Sequence, residues 1–471
     1  MGKKTWLILL GIVLLGLVIR LIKIGSLPLY GDELTMVYDT YSISKTGMDA
    51  TGEKLPLTFK MGAGRPGGYI YFSVPFVAAF GPNVWGERSL SLLSGVGIII
   101  LIYFLGKKLF GEKVGLTASI LTAISPWDIY LSRGGFEAHF ALFLALFGIT
   151  MFFYRRYIFW AIFWGLALFT YPTFKLTLPI IFVLLTLVQG VAKSLKDKKY
   201  IAGTLLLLVF GGIIATQTFT AGSEDRFLSQ NVLSDEKTKN NLIQVVSTER
   251  NTSILPSFLK PVFINRKIEY GKIILDNYVA NISPQFLFLR GDGNPRHNPG
   301  EMGMLYLAEL PILLVSIFLL WKEDKKKFTI LFGWILIVPL ATMLMGQTHA
   351  LRNGFMLPPL ILLTAFTLSK MSKKYVKLFG ILVGIQLVYI LVRLYTVVPA
   401  KFADFWSAPA KEAALIAIEE SKNGQKVTLD VTKIDNIEYA YEVYAKVDPK
   451  EVITQSGSFP KVYGNVTITD K

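Results

Sequence analysis

Residues 80–133 read FGPNVWGERSLSLLSGVGIIILIYFLGKKLFGEKVGLTASILTAISPWDIYLSR. Two apolar runs, 88–106 and 114–131, are joined by a short basic link, Lys107-Lys108 with Lys113. Each run is close to the roughly 20 residues that carry a helix across a bilayer. A short loop rich in lysine between two such runs marks a membrane hairpin with its turn in the cytoplasm. Moving outward in both directions, the same unit recurs. Basic clusters stand at Lys3-Lys4, Lys107 to Lys113, Arg155-Arg156, Lys193 to Lys199, Lys322 to Lys327 and Lys370 to Lys377. They hold 19 of the 49 basic residues and only four acids, so they account for nearly all of the net charge of +16. Charge spaced between apolar runs is a topology signal, and the reading requires no nucleic acid.

Composition agrees. The 471 residues are 52% hydrophobic and 17% charged, against about 25% charged in ordinary soluble domains. The 13% aromatic content excludes a disordered chain. Absence of cysteine excludes disulfide frameworks, thiolate zinc and a Cys nucleophile. The expected fold class is an all-α polytopic membrane protein of about eleven spans, at 5–24, 88–106, 114–131, 137–154, 157–171, 176–192, 200–217, 302–321, 328–346, 353–369 and 375–397. Its N-terminus would be cytoplasmic and its C-terminus outside the cell membrane. Arg20 and Lys23 stand where a signal peptide would be cut, so the first span reads as an uncleaved anchor.

The expected outer side carries loops 25–87 and 218–301 and the tail. Segment 66–80, PGGYIYFSVPFVAAF, reads as a helix lying in the interface. After Pro399 the composition changes: a helix signal from Pro409 to Lys422, a stop at Asn423-Gly424, then alternating QKVTLDVTKI. The expectation is two domains, a transmembrane part at 1–397 and a small α+β extracytoplasmic part at 398–471.

Polar residues gather in the outer segments. Leu29-Tyr30-Gly31-Asp32-Glu33 places two carboxylates just beyond the first span. They would either meet a sugar and its membrane-held carrier or serve as a helix N-cap and first-turn acid. The loop Met61-Gly-Ala-Gly-Arg65-Pro66-Gly-Gly68 could wrap a phosphate, though it lacks the ending of a P-loop. Arg133, Glu137 and His139 follow the third span, and Lys175 follows Tyr171-Pro172. Arg296-His297 and His349 with Arg352 precede the eighth and tenth spans. Arg beside His suits an anion. The two histidines lack the spacing of a zinc motif, which leaves a metal undecided, and no other cofactor is called for.

In order and spacing these features resemble the GT-C membrane glycosyltransferases, most closely the protein O-mannosyltransferase and aminoarabinose transferase group. The resemblance rests on the Asp-Glu pair, the Gly/Pro loop, W-x-x-R-x-x-S (Trp85, Arg88, Ser91), G-x-x-L-F-G (Gly106 to Gly111) and S-P-x-x-x-x-x-S-R (Ser125 to Arg133). It covers roughly residues 5–370 and is strongest over 25–155. It departs at Arg65-Pro66-Gly67, where many members carry Lys or His before two prolines. The resemblance implies an inverting glycosyltransferase that takes a sugar from a polyprenyl-phosphate carrier to an unknown acceptor on the outer face. Asp32 would be the base and Glu33 its support or a sugar ligand. Arg65, Arg133, Lys175, Arg296 and Arg352 are the cations for the donor phosphate, while Tyr30, Glu137, His139, His297 and His349 would contact substrate. A lipid-linked sugar transporter and a glycan polymerase or ligase are the alternatives.

The charge argument predicts that a reporter fused after Lys327 is cytoplasmic and one fused after Gly424 is external. Finding both on one side would overturn the topology.

Overall fold

The computed structural model describes every residue except 1, 62–63, 221–230, 301, 347 and 471. Gly62 and Ala63 of the Gly-rich loop, and part of the segment 218–301, therefore lie outside the described residues. The chain is an integral membrane protein built almost entirely of helices. It begins with α1 (Lys3–Leu21), α2 (Gly31–Thr46), the two-residue antiparallel strands β1 (Thr58–Phe59) and β2 (Arg65–Pro66), and α3 (Gly68–Phe80). There follow α4 (Val84–Phe110), α5 (Glu112–Ile124), α6 (Pro126–Leu131), α7 (Glu137–Phe153), α8 (Tyr157–Thr170) and α9 (Phe174–Gln189). The segment read as interfacial, 66–80, is helical from Gly68 onward.

Among the described residues, six helices are long and apolar enough to cross a membrane: Lys3–Leu21, Val84–Phe110, Lys198–Thr216, Lys325–Met345, Ala350–Lys370 and Lys373–Lys401. Four shorter apolar helices, α3, α7, α8 and α9, accompany them. Three of the expected spans are interrupted at proline. Pro126 separates α5 from α6, Pro339 opens a new turn after Ile337, and Pro358 stands at the start of Leu357–Lys370. A proline has no N–H to give the preceding turn and favours the start of a helix, although Pro75 and Pro179 lie inside α3 and α9.

The basic clusters meet at one end of the bundle. Thr5 bonds Glu112, Lys107 pairs with Glu112, Lys113 reaches the Ser369 carbonyl, Lys370 pairs with Glu323, and Arg155 pairs with Asp197. The other end is held by buried charge. Arg20, in the last turn of α1, gives Nη2 to Asp128 Oδ2 at 2.5 Å and to the Thr122 carbonyl at 3.2 Å. Its Nη1 reaches the carbonyls of Gly16 and Ala123, both at 2.8 Å. His139 completes the group, with Nε2 at 2.9 Å from Asp128 Oδ1. All three side chains are fully buried, so α1, α6 and α7 are joined by a charge that has no water to fall back on.

The tail forms a three-stranded sheet in the order β3-β5-β4. β3 (Val427–Asp430) runs parallel to β5 (Val466–Thr469), and β4 (Lys461–Tyr463) runs antiparallel to it. The helices Ala408–Lys422 and Ile437–Tyr444 pack beside this sheet. Its core is shared with α2: Leu34, Val37 and Tyr38 lie in one cluster with Ala414, Ile437 and Val443. The composition change at Pro399 thus marks new secondary structure, while the packing runs continuously into α2.

Removing one member of a buried charge group strands the other. Arg20→Ala is expected to cost about 3–5 kcal/mol, read as a lowered melting midpoint of the detergent-solubilised protein. An unchanged midpoint would show that Asp128 finds another partner.

Candidate active site

Opposite the basic end lies a cavity of about 510 Å³. The start of α2, the start of α7, the Tyr171–Leu176 turn, the loop through Asn294–His297 and the segment 341–352 all contribute to its wall. Eight of the twelve residues singled out from sequence line it: Tyr30, Asp32, Glu137, Lys175, Arg296, His297, His349 and Arg352. Glu33, Arg65, Arg133 and His139 do not, each for a definable reason.

Glu33 is fully buried and locked to Arg88 of α4. Arg88 gives Nε to Glu33 Oε1 and Nη2 to Oε2, both at 2.7 Å. Its other three N–H groups go to the carbonyls of Ile24, Leu27 and Pro28 at 2.8, 3.1 and 2.8 Å. All five donors are spent, which is what a buried guanidinium requires. Glu33 also accepts the amides of Gly135 at 2.6 Å and Tyr30 at 3.2 Å. The helix-capping role considered for Asp32 therefore belongs to Glu33, which reaches back from the third position of α2 to the N-cap residue Tyr30. A sugar-binding role for Glu33 is replaced by an anchoring one.

With Glu33 held inward, its neighbour Asp32 projects to the cavity, its side chain 57% exposed. Arg65 lies beneath it, 1% exposed, and does not reach the cavity. It donates Nη2 to Asp32 Oδ1 at 2.7 Å and Nη1 to Thr35 Oγ1 at 3.0 Å. Its Nε stands 3.2 Å from Glu137 Oε2. The guanidinium expected on a phosphate instead sits between two cavity carboxylates and fixes both. Facing them, the Tyr30 phenol is pushed well above its usual range by burial and by the Asp32 and Glu33 charges, so it stays a neutral donor.

Arg133 and His139 also lie away from the cavity lining. Arg133 gives its guanidinium to the carbonyls of Arg20, Ile22 and Lys23, capping the end of α1, and lies over the Tyr395 ring. His139 belongs to the buried group around Asp128.

The far wall is cationic. Arg296 gives Nε to the Phe405 carbonyl and lies 5.2 Å from the Tyr30 ring centroid. Arg352 donates to the Met345 carbonyl at 3.2 Å. His297 Nδ1 is 3.0 Å from Asp292 Oδ2, which also accepts the Ala350 amide at 2.7 Å. Against the opposing pull of burial, the His297 contact holds the Asp292 carboxyl below its usual range. The His349 ring lies 4.6 Å from that of His297, and burial pushes it well below the usual histidine range, so it is uncharged. Asp292, His297 and His349 place one ligand atom each within 4.8 Å of one another, a set able to hold a metal ion. His349 Nδ1 is buried without a partner, as an open ligand would be. Asp292 had been passed over in the sequence, although it sits between the Arg290 and Arg296 of the same loop. Trp406 was missed as well: its indole lies 5.1 Å from the Arg88 guanidinium and 5.3 Å from the Tyr30 ring, and nothing in the local sequence of the tail signals this.

A cavity lined by both carboxylates and cations can deprotonate one ligand group while holding an anion in the same space. Comparison with known proteins gives a context for that arrangement. Residues 65–214 match the family model described as dolichyl-phosphate-mannose-protein mannosyltransferase. No curated protein sequence matches the chain. Among solved structures, ArnT from Cupriavidus metallidurans bound to undecaprenyl phosphate superposes with a TM-score of 0.59 at 11% identity, over 94% of this chain and 85% of that one. Its apo form gives 0.58 at 12%, over 100% and 90%. The archaeal oligosaccharyltransferase AglB from Archaeoglobus fulgidus, in complex with an inhibitory peptide and a dolichol-phosphate, gives 0.53 at 13%, over 94% of this chain and 64% of that one. At these identities the likeness is one of fold. The chain has the fold of ArnT and AglB and, over residues 65–214, matches the dolichyl-phosphate-mannose-protein mannosyltransferase family model.

Proposed function

We propose that the protein is an inverting glycosyltransferase. It moves a sugar from a polyprenyl-phosphate carrier to an acceptor hydroxyl on the outer face of the membrane, with Asp32 as base. The observation that carries this reading is the single cavity in which an exposed Asp32, steadied by a buried Arg65, is enclosed with Lys175, Arg296 and Arg352. Its volume is within the range of small-ligand sites. ArnT was solved with undecaprenyl phosphate and AglB with a dolichol-phosphate, which supports a lipid phosphate as the donor headgroup.

In this reaction the acceptor oxygen attacks the anomeric carbon on the side opposite the phosphate. The bond from that carbon to the phosphate oxygen breaks, its electron pair leaves with the phosphate, and the acceptor proton passes to Asp32. A phosphate departs as a stable anion, so no acid is needed on it. Cations that strengthen their grip as its charge grows supply the remaining stabilisation. Arg65 serves here by position. One N–H holds Asp32 Oδ1, which leaves Oδ2 as the oxygen for the proton.

Asp32→Asn keeps an oxygen for Arg65 and removes the base. It is expected to leave folding and donor binding intact while slowing single-turnover transfer by about 10²–10⁴-fold. A rate close to that of the parent would remove Asp32 from the chemistry. For the phosphate, Lys175→Ala and Arg352→Ala should each weaken donor binding by about 1.5–3 kcal/mol, whereas Arg133→Ala should lower stability and leave donor affinity alone. Equal affinity in all three variants would move the phosphate elsewhere.

A further inference from the structure

The helix Arg266–Ile282 is amphipathic in the wrong sense for a surface in water. Its buried residues are Glu269 and Asn281. Ile268, Leu275 and Val279, spaced seven and four apart and so on one stripe, are exposed, Leu275 to 61% and Val279 to 51%. A helix on a water-facing surface turns its apolar stripe to the core and its polar face outward. Here the polar face is fastened to the spans: Tyr278 Oη donates to the Leu336 carbonyl at 2.9 Å, Asn277 to the Met343 carbonyl at 3.1 Å, and Asn353 bonds Asn281.

The segment before it has the same character. Ile254 is fully exposed, Phe258 is 75% exposed, and Val262 and Phe263 are each more than half exposed. The turn bearing them is fixed by polar links, Lys260 to the Arg250 carbonyl at 2.7 Å and Arg250 to the Ile264 carbonyl at 2.8 Å. Arg266 and Lys267 occupy the first turn of the helix, where the dipole disfavours cations. Phosphate headgroups at that point would offset the mismatch.

We propose that residues 254–282 form a strap embedded in the interfacial layer of the bilayer on the cavity side. Ile254, Phe258, Val262, Phe263, Leu275 and Val279 lie among the upper acyl chains, and Lys260, Arg266 and Lys267 lie at headgroup level. Continuity with the spans, the inverted polarity and the basic rim all fit a lipid surface with anionic headgroups. The charges along the helix, among them the Glu269–Lys272 pair at 2.7 Å, keep it in the plane of the interface and prevent it from crossing. The strap also has a mechanical role. Through the turn Gln285–Leu289 it leads into the loop that carries Asn294, Arg296 and His297 to the cavity, so lipid contact at one end fixes cavity residues at the other. The placement of the strap does not depend on which reaction the cavity performs.

The chain has no cysteine, so single spin labels can be placed in the otherwise native protein. Phe258→Cys, Phe263→Cys, Leu275→Cys and Val279→Cys would be labelled in nanodiscs of phosphatidylcholine and phosphatidylglycerol, with Lys422→Cys on the tail as a control. Expected at the four strap sites is relaxation dominated by oxygen, which partitions into lipid, over a water-soluble nickel chelate. At Lys422 the chelate should dominate. Chelate dominance on the strap would place it in water and overturn the proposal. So would dipolar broadening at Leu275 and Val279, which would mean that a second copy of the chain covers the stripe.

Discussion

Everything at the cavity depends on one ion pair that never touches it. The Glu33–Arg88 pair is fully enclosed, and between them the two side chains satisfy every donor of the guanidinium and gather two backbone amides and three backbone carbonyls. Such a pair gains little over an apolar substitute in stability, but it tolerates only one arrangement, because any displacement strands a charge in a dry interior. That single arrangement sets the direction in which α2 begins. Since successive helix residues are turned by about 100°, fixing Glu33 inward fixes Asp32 outward. The exposed position of Asp32 follows from the rigidity of its neighbour.

Three buried arginines share this logic and differ in what they hold. Arg88 joins the 24–33 segment to α4, and its partner Glu33 takes the Gly135 amide. Arg20 joins α1 to α6 through Asp128, and Arg65 joins the two cavity carboxylates. Arg133, a fourth, closes the end of α1. In a protein whose spans are largely apolar these charges are concentrated at one end of the bundle, which gives that end a defined shape where lipid-facing packing alone would not.

The helical segments were legible because apolar run lengths are local features, and the resemblance held at the level of fold. The roles of the cations were not. Arg65, Arg133 and Arg88 look alike in sequence, and what separates them is the identity of partners 33, 113 and 55 positions away. Arg133 reads as an exposed loop residue until the end of α1 is seen beside it. The W-x-x-R-x-x-S pattern did flag Arg88, but a pattern cannot say that the residue is a clasp. Likewise the inverted polarity of Arg266–Ile282 is invisible in sequence, where an amphipathic helix looks the same whichever face is turned inward.

The shared core between α2 and the tail has a consequence for biosynthesis. Residues 24–139, which supply the clasp, the catalytic candidate and much of the cavity wall, leave the ribosome before Trp406, Ala414, Ile437 and Val443. Until the tail arrives, Leu34, Val37 and Tyr38 of α2 have only the cover of Leu29, Ala50 and Val77, and the open face of Arg88 lacks its indole. The nascent chain can thus insert its early spans in order, but α2 completes its packing only once residues of the tail have been made.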